Sequence, residues 1–218
     1  MKTQILLPAL LITLLGQNET CPAASFVNGS FESPDVASQS YNAPSSAITG
    51  WTLSQGAVNL FDNSSGVGNA FDGTQFLELA FGGLGATLSQ SISGLSLGQI
   101  YELRYVVSAF ESARFFGPSS VTVAMGVGSD TATLDPSGTP NFGSNNSHFG
   151  SPWIERAFTF TATSDAMAIT ITSSRPNSTG SLPAIDHLTI NPVPEPSTCA
   201  YVLFGLVLAW SQRRNNVA

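Results

Sequence analysis

Two histidines and a scattered set of carboxylates are the residues whose types suit catalysis. The sequence has two histidines, His148 and His187, and a histidine can serve as a general base or bind a metal ion. A serine triad also needs a nucleophile held in a strained turn, and a zinc peptidase needs an H-E-x-x-H helix; neither is predicted here. The carboxylates are too dispersed to indicate the facing pair of a glycosidase. The sequence therefore predicts a protein that is not an enzyme.

Charge and cysteine content exclude further kinds of site. Residues 26–192 contain twelve carboxylates, four arginines and no lysine, which gives a net charge of −8. Such a surface repels nucleic acid phosphates, so no nucleic acid partner is expected, whereas divalent cations are compatible with it. Both cysteines, Cys21 and Cys199, lie outside this segment. The segment therefore has neither a disulfide nor a thiolate metal site, and it must be stabilised by a packed core.

An alternation of apolar and polar residues predicts that β-strands position these side chains. The period of two is clearest in residues 100–108, 120–127, 158–161 and 167–172. In the first of these, one face carries Tyr101, Leu103, Tyr105 and Val107. Clusters of Gly, Pro, Asn and Asp separate about ten such strands, and no amphipathic helix is predicted. The fold class is therefore all-β, a single jelly-roll β-sandwich over residues 26–192, with its longest loop from Pro136 to Pro152.

The amino terminus has the pattern of a secretory signal peptide. Met1-Lys2 precedes an apolar run from Ile5 to Leu15 that is too short for a stable membrane anchor. Small residues at Ala23-Ala24-Ser25 suit a cleavage site before Phe26. We expect residues 1–25 to be removed and the rest of the chain to be exported.

The last 26 residues, 193–218, combine an extended segment with a short apolar run. Prolines at 192, 194 and 196 favour an extended, accessible peptide over residues 191–196. The 12 uncharged residues from Cys199 to Trp210 would span about 18 Å as a helix, less than the ~30 Å hydrocarbon core. Arg213 and Arg214 follow, and basic residues favour the cytoplasmic side of a membrane. The pattern predicts a short C-terminal hydrophobic helix that enters the inner membrane.

This tail resembles a known sorting signal. The motif Val193-Pro194-Glu195-Pro196-Ser197, followed by the apolar run and by Arg213-Arg214, is similar to the PEP-CTERM tail of Gram-negative bacteria with exopolysaccharide systems. In that family an exosortase in the membrane cuts near the Pro-Glu-Pro motif and passes the protein to the envelope or matrix. The resemblance implies an exosortase-type processing partner and a transient or permanent membrane anchor. A proline-rich linker before an ordinary short anchor is the alternative.

Four motifs of the body resemble a second family. They are Asn28-Gly29-Ser30-Phe31-Glu32, Ile48-Thr49-Gly50-Trp51, the segment from Asp72 to Leu79 and the segment from Pro183 to Ile190. In this order they are similar to carbohydrate-binding modules of the galactose-binding-like superfamily, and to the related domain of unknown function in plant cell-wall proteins. The resemblance extends over residues 26–190.

The second resemblance implies one structural calcium ion. In that family the first and last strands lie close together, so Glu32 and Asp186 could approach a shared ion, and carboxylates are the oxygen ligands that calcium prefers. The family often has two adjacent acids in its last motif, whereas His187 occupies the second position here. The alternative is that Glu32 caps a turn and that Asp186 is exposed.

The same resemblance implies that aromatic rings bind sugar. Tyr41, Phe115, Phe116 and Trp153 are the main candidates, from a wider set that includes Phe61, Phe81, Phe110, Phe142 and Phe149. Consecutive strand residues point to opposite faces, and the Phe115-Phe116 pair adjoins Gly117-Pro118, so one of its rings should lie near solvent. Trp51 is expected in the core.

Together these patterns predict an exported, non-enzymatic domain at the cell surface or in the extracellular matrix that binds carbohydrate, with exopolysaccharide as a candidate partner. A rival hypothesis is a structural or adhesive matrix protein that recognises no sugar specifically.

Overall fold

Two antiparallel β-sheets pack face to face and enclose the core. A computed structural model describes residues 24–37, 39–40, 48–80, 85–110, 117–135, 153–176 and 179–194. Within these residues the strands are β1 (Gln39–Ser40), β2 (Thr52–Gln55), β3 (Asn59–Asp62), β4 (Gln75–Glu78), β5 (Thr87–Ser93), β6 (Ile100–Phe110), β7 (Ser119–Met125), β8 (Gly128–Leu134), β9 (Ile154–Thr161), β10 (Ala166–Ser174) and β11 (Leu182–Pro192). A single 3₁₀ turn, Asn63–Ser65, accompanies them in the described part of the chain. The predicted all-β sandwich is confirmed.

The strand order brings the first and last parts of the chain together. The six-stranded sheet has the order β1-β3-β4-β11-β6-β9, and the five-stranded sheet has the order β2-β5-β10-β7-β8. Every named pair is antiparallel. The last strand, β11, lies in the middle of the six-stranded sheet between β4 and β6. Residues from both ends of the domain can therefore meet on one sheet.

The core follows the alternation seen in the sequence. On β6 the inward residues Tyr101, Leu103, Tyr105 and Val107 are at most 1% exposed. Alternate residues of β7 and β10 on the opposite sheet are equally buried, for example Val121, Val123, Ile169 and Ile171. Trp51 also lies in this core, as predicted, and contacts Phe31 with ring centroids 5.6 Å apart. Burial of these side chains supplies the stability that the absence of disulfides requires.

A second, smaller apolar cluster covers part of the outer face of the six-stranded sheet. Its buried members are Phe61, Phe76 and Ala184, with Val67, Ala70, Trp153 and Leu182 packed around them. Half of this outer face is consequently closed to solvent. The prediction that Phe61 lies outside the strand cores is wrong: Phe61 belongs to β3 and is 5% exposed, because its ring packs on Phe76 at 5.5 Å.

Several predictions fall on the ends of the chain. Asn191 and Pro192 are the last residues of β11, and the Val193 N–H donates to the carbonyl of Ile100 at 2.8 Å. The start of the predicted extended peptide is therefore a strand end pinned to β6. Residues 1–23 of the predicted signal peptide lie outside the described residues, as do Glu195 to Ser197, Arg213, Arg214 and the predicted C-terminal helix. The last two residues of the predicted signal peptide are described, and Ala24 is 5% exposed and packs in the main core. In the described part of the chain, no helix has the length and apolar character needed to span a membrane.

Candidate functional site

Hydrogen bonds of Asn28 join the first motif, residues 28–32, to the second, residues 48–51. The Asn28 side-chain amide donates to the carbonyls of Ser33 at 2.6 Å and of Thr49 at 3.1 Å. Its Oδ1 accepts the N–H of Ser33 at 3.0 Å, and the indole N–H of Trp51 donates to the Asn28 carbonyl at 3.1 Å. Asn28 has a positive φ of 59°, a conformation that asparagine tolerates better than most residues. This part of the motif is structural.

Glu32 holds one end of the loop formed by residues 71–75. Its Oε1 accepts the backbone N–H groups of Thr74 at 2.9 Å and of Gln75 at 2.7 Å, and its Oε2 accepts the Thr74 hydroxyl at 2.9 Å. Gly73 is required in this loop, because φ is +71° and a Cβ atom would lie 2.5 Å from Glu32 Oε1. The acid of the first motif therefore shapes the Asp72-Gly73-Thr74 motif.

Asp186 holds the other end of the same loop. Its Oδ2 accepts the N–H groups of Phe71 at 2.8 Å and Asp72 at 3.0 Å, and its Oδ1 accepts the N–H of His187 at 2.7 Å. The side chain is fully buried. Burial raises the pKa of Asp186 to about 7, although the three N–H donors act in the opposite direction. These bonds fix the backbone of Phe71 next to β11.

A bulge in β11 turns His187 out of the strand. The register with β6 shifts between Asp186, which faces Val106, and Thr189, which faces Arg104. His187 has a positive φ of 53° at this bulge. A bulge of this kind redirects a side chain, and such bulges are frequent near binding sites.

His187 joins Ser30 and the 71–75 loop in a small polar network. Its Nδ1 lies 3.1 Å from Asp72 Oδ2, which also accepts the Ser30 hydroxyl at 2.6 Å. The bonds from Ser30 and His187 lower the pKa of Asp72. The ring of His187 lies 5.3 Å from that of Phe71, centroid to centroid. Three of the four sequence motifs therefore meet at one corner.

An open groove of about 370 Å³ lies beside this corner, on the outer face of the six-stranded sheet. It is lined by Phe71, Arg104, Tyr105, Val106, Glu155, Arg156, Ala157, His187 and Thr189. Its volume is in the range of about 300–1,000 Å³ that is usual for small-ligand sites. We refer to this feature as the groove.

The groove combines one exposed ring with charged side chains. Phe71 is 43% exposed. Arg104 donates through Nε to Glu102 at 2.6 Å, a bond that raises its pKa, and its side chain is 55% exposed. Glu155 is near enough to raise the pKa of Arg104 further through its charge. A ligand in the groove would thus meet an apolar ring, a guanidinium donor and a carboxylate acceptor.

One rim of the groove is fastened to the other sheet. Arg156 on β9 makes two hydrogen bonds to Asp130 on β8, of 2.8 and 2.6 Å. The Tyr105 hydroxyl donates to the same carboxylate at 2.8 Å. Arg156 lowers the pKa of Asp130, whereas burial raises the pKa of Tyr105. This cluster ties β9, at the edge of its sheet, to β8.

The aromatic residues predicted from the sequence occupy other positions. Tyr41, Phe115 and Phe116 lie outside the described residues. Trp153 packs edge-on against Phe76 at 5.8 Å, and its indole N–H donates to the carbonyl of Asn69 at 3.0 Å. Trp153 is thus part of the second apolar cluster and does not line the groove.

Glu32 and Asp186 do approach the same part of the chain, as the family resemblance implies. Their oxygens, however, face N–H and hydroxyl donors of residues 71–75 and 187. Within the described residues there is no group of three or more His, Cys, Asp or Glu side chains that could hold a metal ion. The calcium site stays a prediction, and the structure shows a different role for both acids.

One short segment has the letters of a hydrolase nucleophile turn. Residues 94–98 read G-L-S-L-G, which fits G-x-S-x-G. They connect β5 to β6, so a strand follows where the hydrolase turn requires a helix. The Ser96 N–H donates to the Tyr101 hydroxyl at 3.0 Å. His187, the one histidine among the described residues, lies by Phe71 and Asp72 and not by this serine.

The sequence did not identify Phe71, Arg104 and Glu155 as groove residues. Phe71 lies in a loop without periodicity. The alternation in residues 100–108 predicts that Arg104 lies on the face opposite Tyr101 and Leu103, but its position beside His187 depends on the register between β6 and β11. One sequence feature could have indicated that Phe71 is exposed: it stands directly before the Asp72-Gly73 turn, a position that a core residue would seldom occupy.

A sequence model of one protein family, described as "Protein of unknown function (DUF642)", matches residues 24–191. No curated protein matches the chain significantly. The match spans nearly all of the segment that forms the sandwich.

Several solved structures are similar to parts of this chain. A cyclase from Fischerella sp. TAU in complex with 4-(1H-indol-3-yl)butan-2-one has a TM-score of 0.52 and 15% identity, over 80% of this chain and 100% of that chain. An arabinose-bound α-L-arabinofuranosidase has a TM-score of 0.48 and 13% identity, over 78% of this chain and 26% of that chain. The TmCBM61 protein in complex with β-1,4-galactotriose has a TM-score of 0.46 and 12% identity, over 78% and 99% of the two chains. The first likeness shows a common fold, and a fold found in an enzyme does not by itself fix a function.

Proposed function

Because this chain belongs to the DUF642 family of proteins of unknown function, we propose a function from its own site: it is an exported protein that binds carbohydrate in the groove without catalysis. The observation that carries this proposal is the exposed ring of Phe71 at the wall of a groove that also contains charged and hydroxyl-bearing side chains. Sugar rings present apolar C–H faces and a rim of hydroxyls, so they need both kinds of surface.

The position of Phe71 is preorganised. Asp186 holds its backbone N–H, and the His187 ring supports it from one side. A ring that is already fixed loses little conformational entropy when a ligand stacks on it. This differs from an exposed loop aromatic that would have to be ordered on binding.

The polar groups suit hydroxyls. Among the lining residues, Arg104 supplies donors, Glu155 supplies acceptors and Thr189 supplies a hydroxyl. Both signs of charge are present, which favours a neutral, hydroxyl-rich ligand over an ion. The strong negative charge of the domain also disfavours acidic polymers.

The experiment is a glycan array probed with the full chain and with Phe71→Ala. Loss of one aromatic contact of about 1.5 kcal/mol should weaken binding roughly tenfold. Val127→Ala is the matched control, since Val127 is 94% exposed and does not line the groove. Phe115→Ala and Phe116→Ala test the competing sequence-based site. A structural or adhesive protein would give no glycan signal with any variant.

Export and sorting are the second part of the proposal. They are supported by the signal-peptide pattern and by the Pro194-Glu195-Pro196 motif before the apolar run. The intact mass and location of the protein in its native cells test them, beside a variant with Pro194→Ala and Glu195→Ala. Sorting predicts a native product shortened near Ser197 and a variant retained at full length. Identical full-length, membrane-bound products would mean that the tail is a plain anchor.

A further inference from the structure

One end of the sandwich is defined by the point where β11 leaves it. At this end lie the β5–β6 connection (residues 94–99), the β7–β8 turn (residues 126–127), the β9–β10 turn (residues 162–165) and Val193. Hydrogen bonds join three of these segments, from Leu95 to Asp165, from Gly98 to Ala162 and from Val193 to Ile100. We call this the exit end.

The exit end is unusually apolar for a solvated surface. Five large hydrophobic residues of the described chain are markedly exposed, and three of them lie here: Leu97 at 76%, Ile100 at 47% and Val127 at 94%. Leu97 and Val127 each occupy the tip of a turn, a position that normally carries polar residues.

The same end has very little charge. Asp165 is the one charged side chain in its described turns, although the domain as a whole carries a net charge of −8. Apart from Asp165, the acidic groups of the described residues that would repel a membrane surface therefore lie outside these turns. An apolar, nearly uncharged patch is the kind of surface that inserts among lipid headgroups.

The chain length fixes how far this end can be from the apolar run. Val193 is bonded to β6, and only the five residues 194–198 separate it from Cys199. Six Cα–Cα steps therefore connect Val193 to Cys199, and fully extended they span at most about 22 Å. If residues 199–210 insert in a bilayer, the exit end must lie within that distance of its surface.

From these observations we infer that the exit end is a membrane-contacting surface: Leu97, Ile100 and Val127 rest in the interface of the bilayer that holds residues 199–210. The inference depends on the anchoring role proposed for the tail. In the anchored protein the exit end would then face the lipid. The domain would have less freedom to reorient than a domain attached only through a flexible linker. After removal of the tail the patch would be released.

The test uses the full chain in phosphatidylcholine vesicles. In a Cys21→Ser, Cys199→Ala background, one environment-sensitive fluorophore is attached at Val127→Cys or Leu97→Cys, positions exposed enough to leave the fold intact. Thr133→Cys is the matched control, because it is an exposed residue of the same hairpin, about 20 Å along β8 from Val127. Flotation of the vesicles reports anchoring separately.

We expect a blue-shifted emission that is quenched by spin-labelled lipid at positions 97 and 127, and neither effect at position 133. Flotation with a water-like emission at all three positions would overturn the inference while leaving the anchor intact. Failure to float would overturn the anchor and the inference together. Neither result would affect glycan binding in the groove.

Discussion

The two halves of the outer face of the six-stranded sheet are built by the same strands and have opposite environments. In the closed half, Phe61, Phe76 and Ala184 pack under Trp153. In the open half, Phe71, His187 and Arg104 border a solvated groove. The closed half contributes to stability, whereas the open half leaves its polar groups available to a ligand.

The two halves also differ in how each satisfies a buried carboxyl group. Glu78, beside the apolar cluster, accepts a hydrogen bond from the Asn59 amide to Oε2 at 2.7 Å, and among the described residues its Oε1 has no hydrogen-bond partner. Asp186, beside the groove, accepts three backbone N–H groups. Burial raises the pKa of both groups to about 7. Asp186 therefore organises the open half, while Glu78 is a cost to the closed half whenever it is charged.

The largest effect is expected for Asp186→Ala. This change leaves three N–H groups without their acceptor, and each buried unpaired group costs roughly 1–3 kcal/mol. We expect the free energy of unfolding to fall by about 3 kcal/mol or more, as measured by urea denaturation. Asp165→Ala is the control, since Asp165 is exposed in a turn and should change stability by less than about 0.5 kcal/mol. Equal effects of the two changes would contradict the organising role of Asp186.

A pH-dependent gain is expected for Glu78→Gln. Burial raises the pKa of Glu78 in the folded protein to about 7, from an ordinary value of 4.5. The folded state therefore favours the protonated carboxyl group. Its contribution to stability is fully present below pH 4.5 and is lost as the pH rises through 7. The amide should therefore stabilise the protein at pH 8, by about 1–3 kcal/mol, and have little effect at pH 4.5. Urea denaturation at both pH values measures this. A difference that is the same at both pH values would show that Glu78 does not titrate in this range.

A smaller loss is expected where the rim of the groove is tied to the second sheet. Arg156→Lys replaces two hydrogen bonds to Asp130 by at most one, and it should reduce stability by about 1 kcal/mol. The loss should disappear below the lowered pKa of Asp130, when the carboxyl group is protonated. Arg104→Lys is the comparison. Because the pair of Arg104 with Glu102 is exposed, this change should not measurably alter the free energy of unfolding. Equal losses of stability for Arg156→Lys and Arg104→Lys would show that the Arg156–Asp130 pair does not hold the rim of the groove to the second sheet.

The smallest effect is expected on removing divalent cations. Glu32 and Asp186 already use their carboxylate oxygens to accept N–H groups of the 71–75 loop. We expect saturating EDTA to leave the thermal midpoint of the purified protein unchanged. A lower midpoint in EDTA would establish a bound ion, because a ligand of the native state alone must raise the midpoint.

The alternating strands and their core could be predicted because side-chain periodicity is a local property. Tyr101 to Val107 and Val121 to Met125 show this most clearly. The motifs were also visible, and the alternative to the calcium site, that Glu32 caps a turn, agrees with its bonds to Thr74 and Gln75. The companion expectation, an exposed Asp186, is wrong, because the 71–75 loop covers it.

The groove could not be predicted because it depends on pairing between distant segments. Arg104 and His187 become neighbours through the bulge that shifts β11 against β6. Phe71 reaches the groove because Asp186 anchors its N–H. Phe61 shows the opposite case: the sequence allowed it to be exposed, whereas in the fold it is buried within the second apolar cluster. Periodicity describes one strand at a time and contains no information about such contacts.

The most direct test of the central claim is hydrogen–deuterium exchange of the full chain with and without the strongest glycan from the array. The account predicts slower exchange on binding in peptides that contain Phe71, Arg104, Glu155 and His187, and no change at the β7–β8 turn. Protection confined to the segment around Phe115 and Phe116, or to Trp153, would contradict the groove as the binding site.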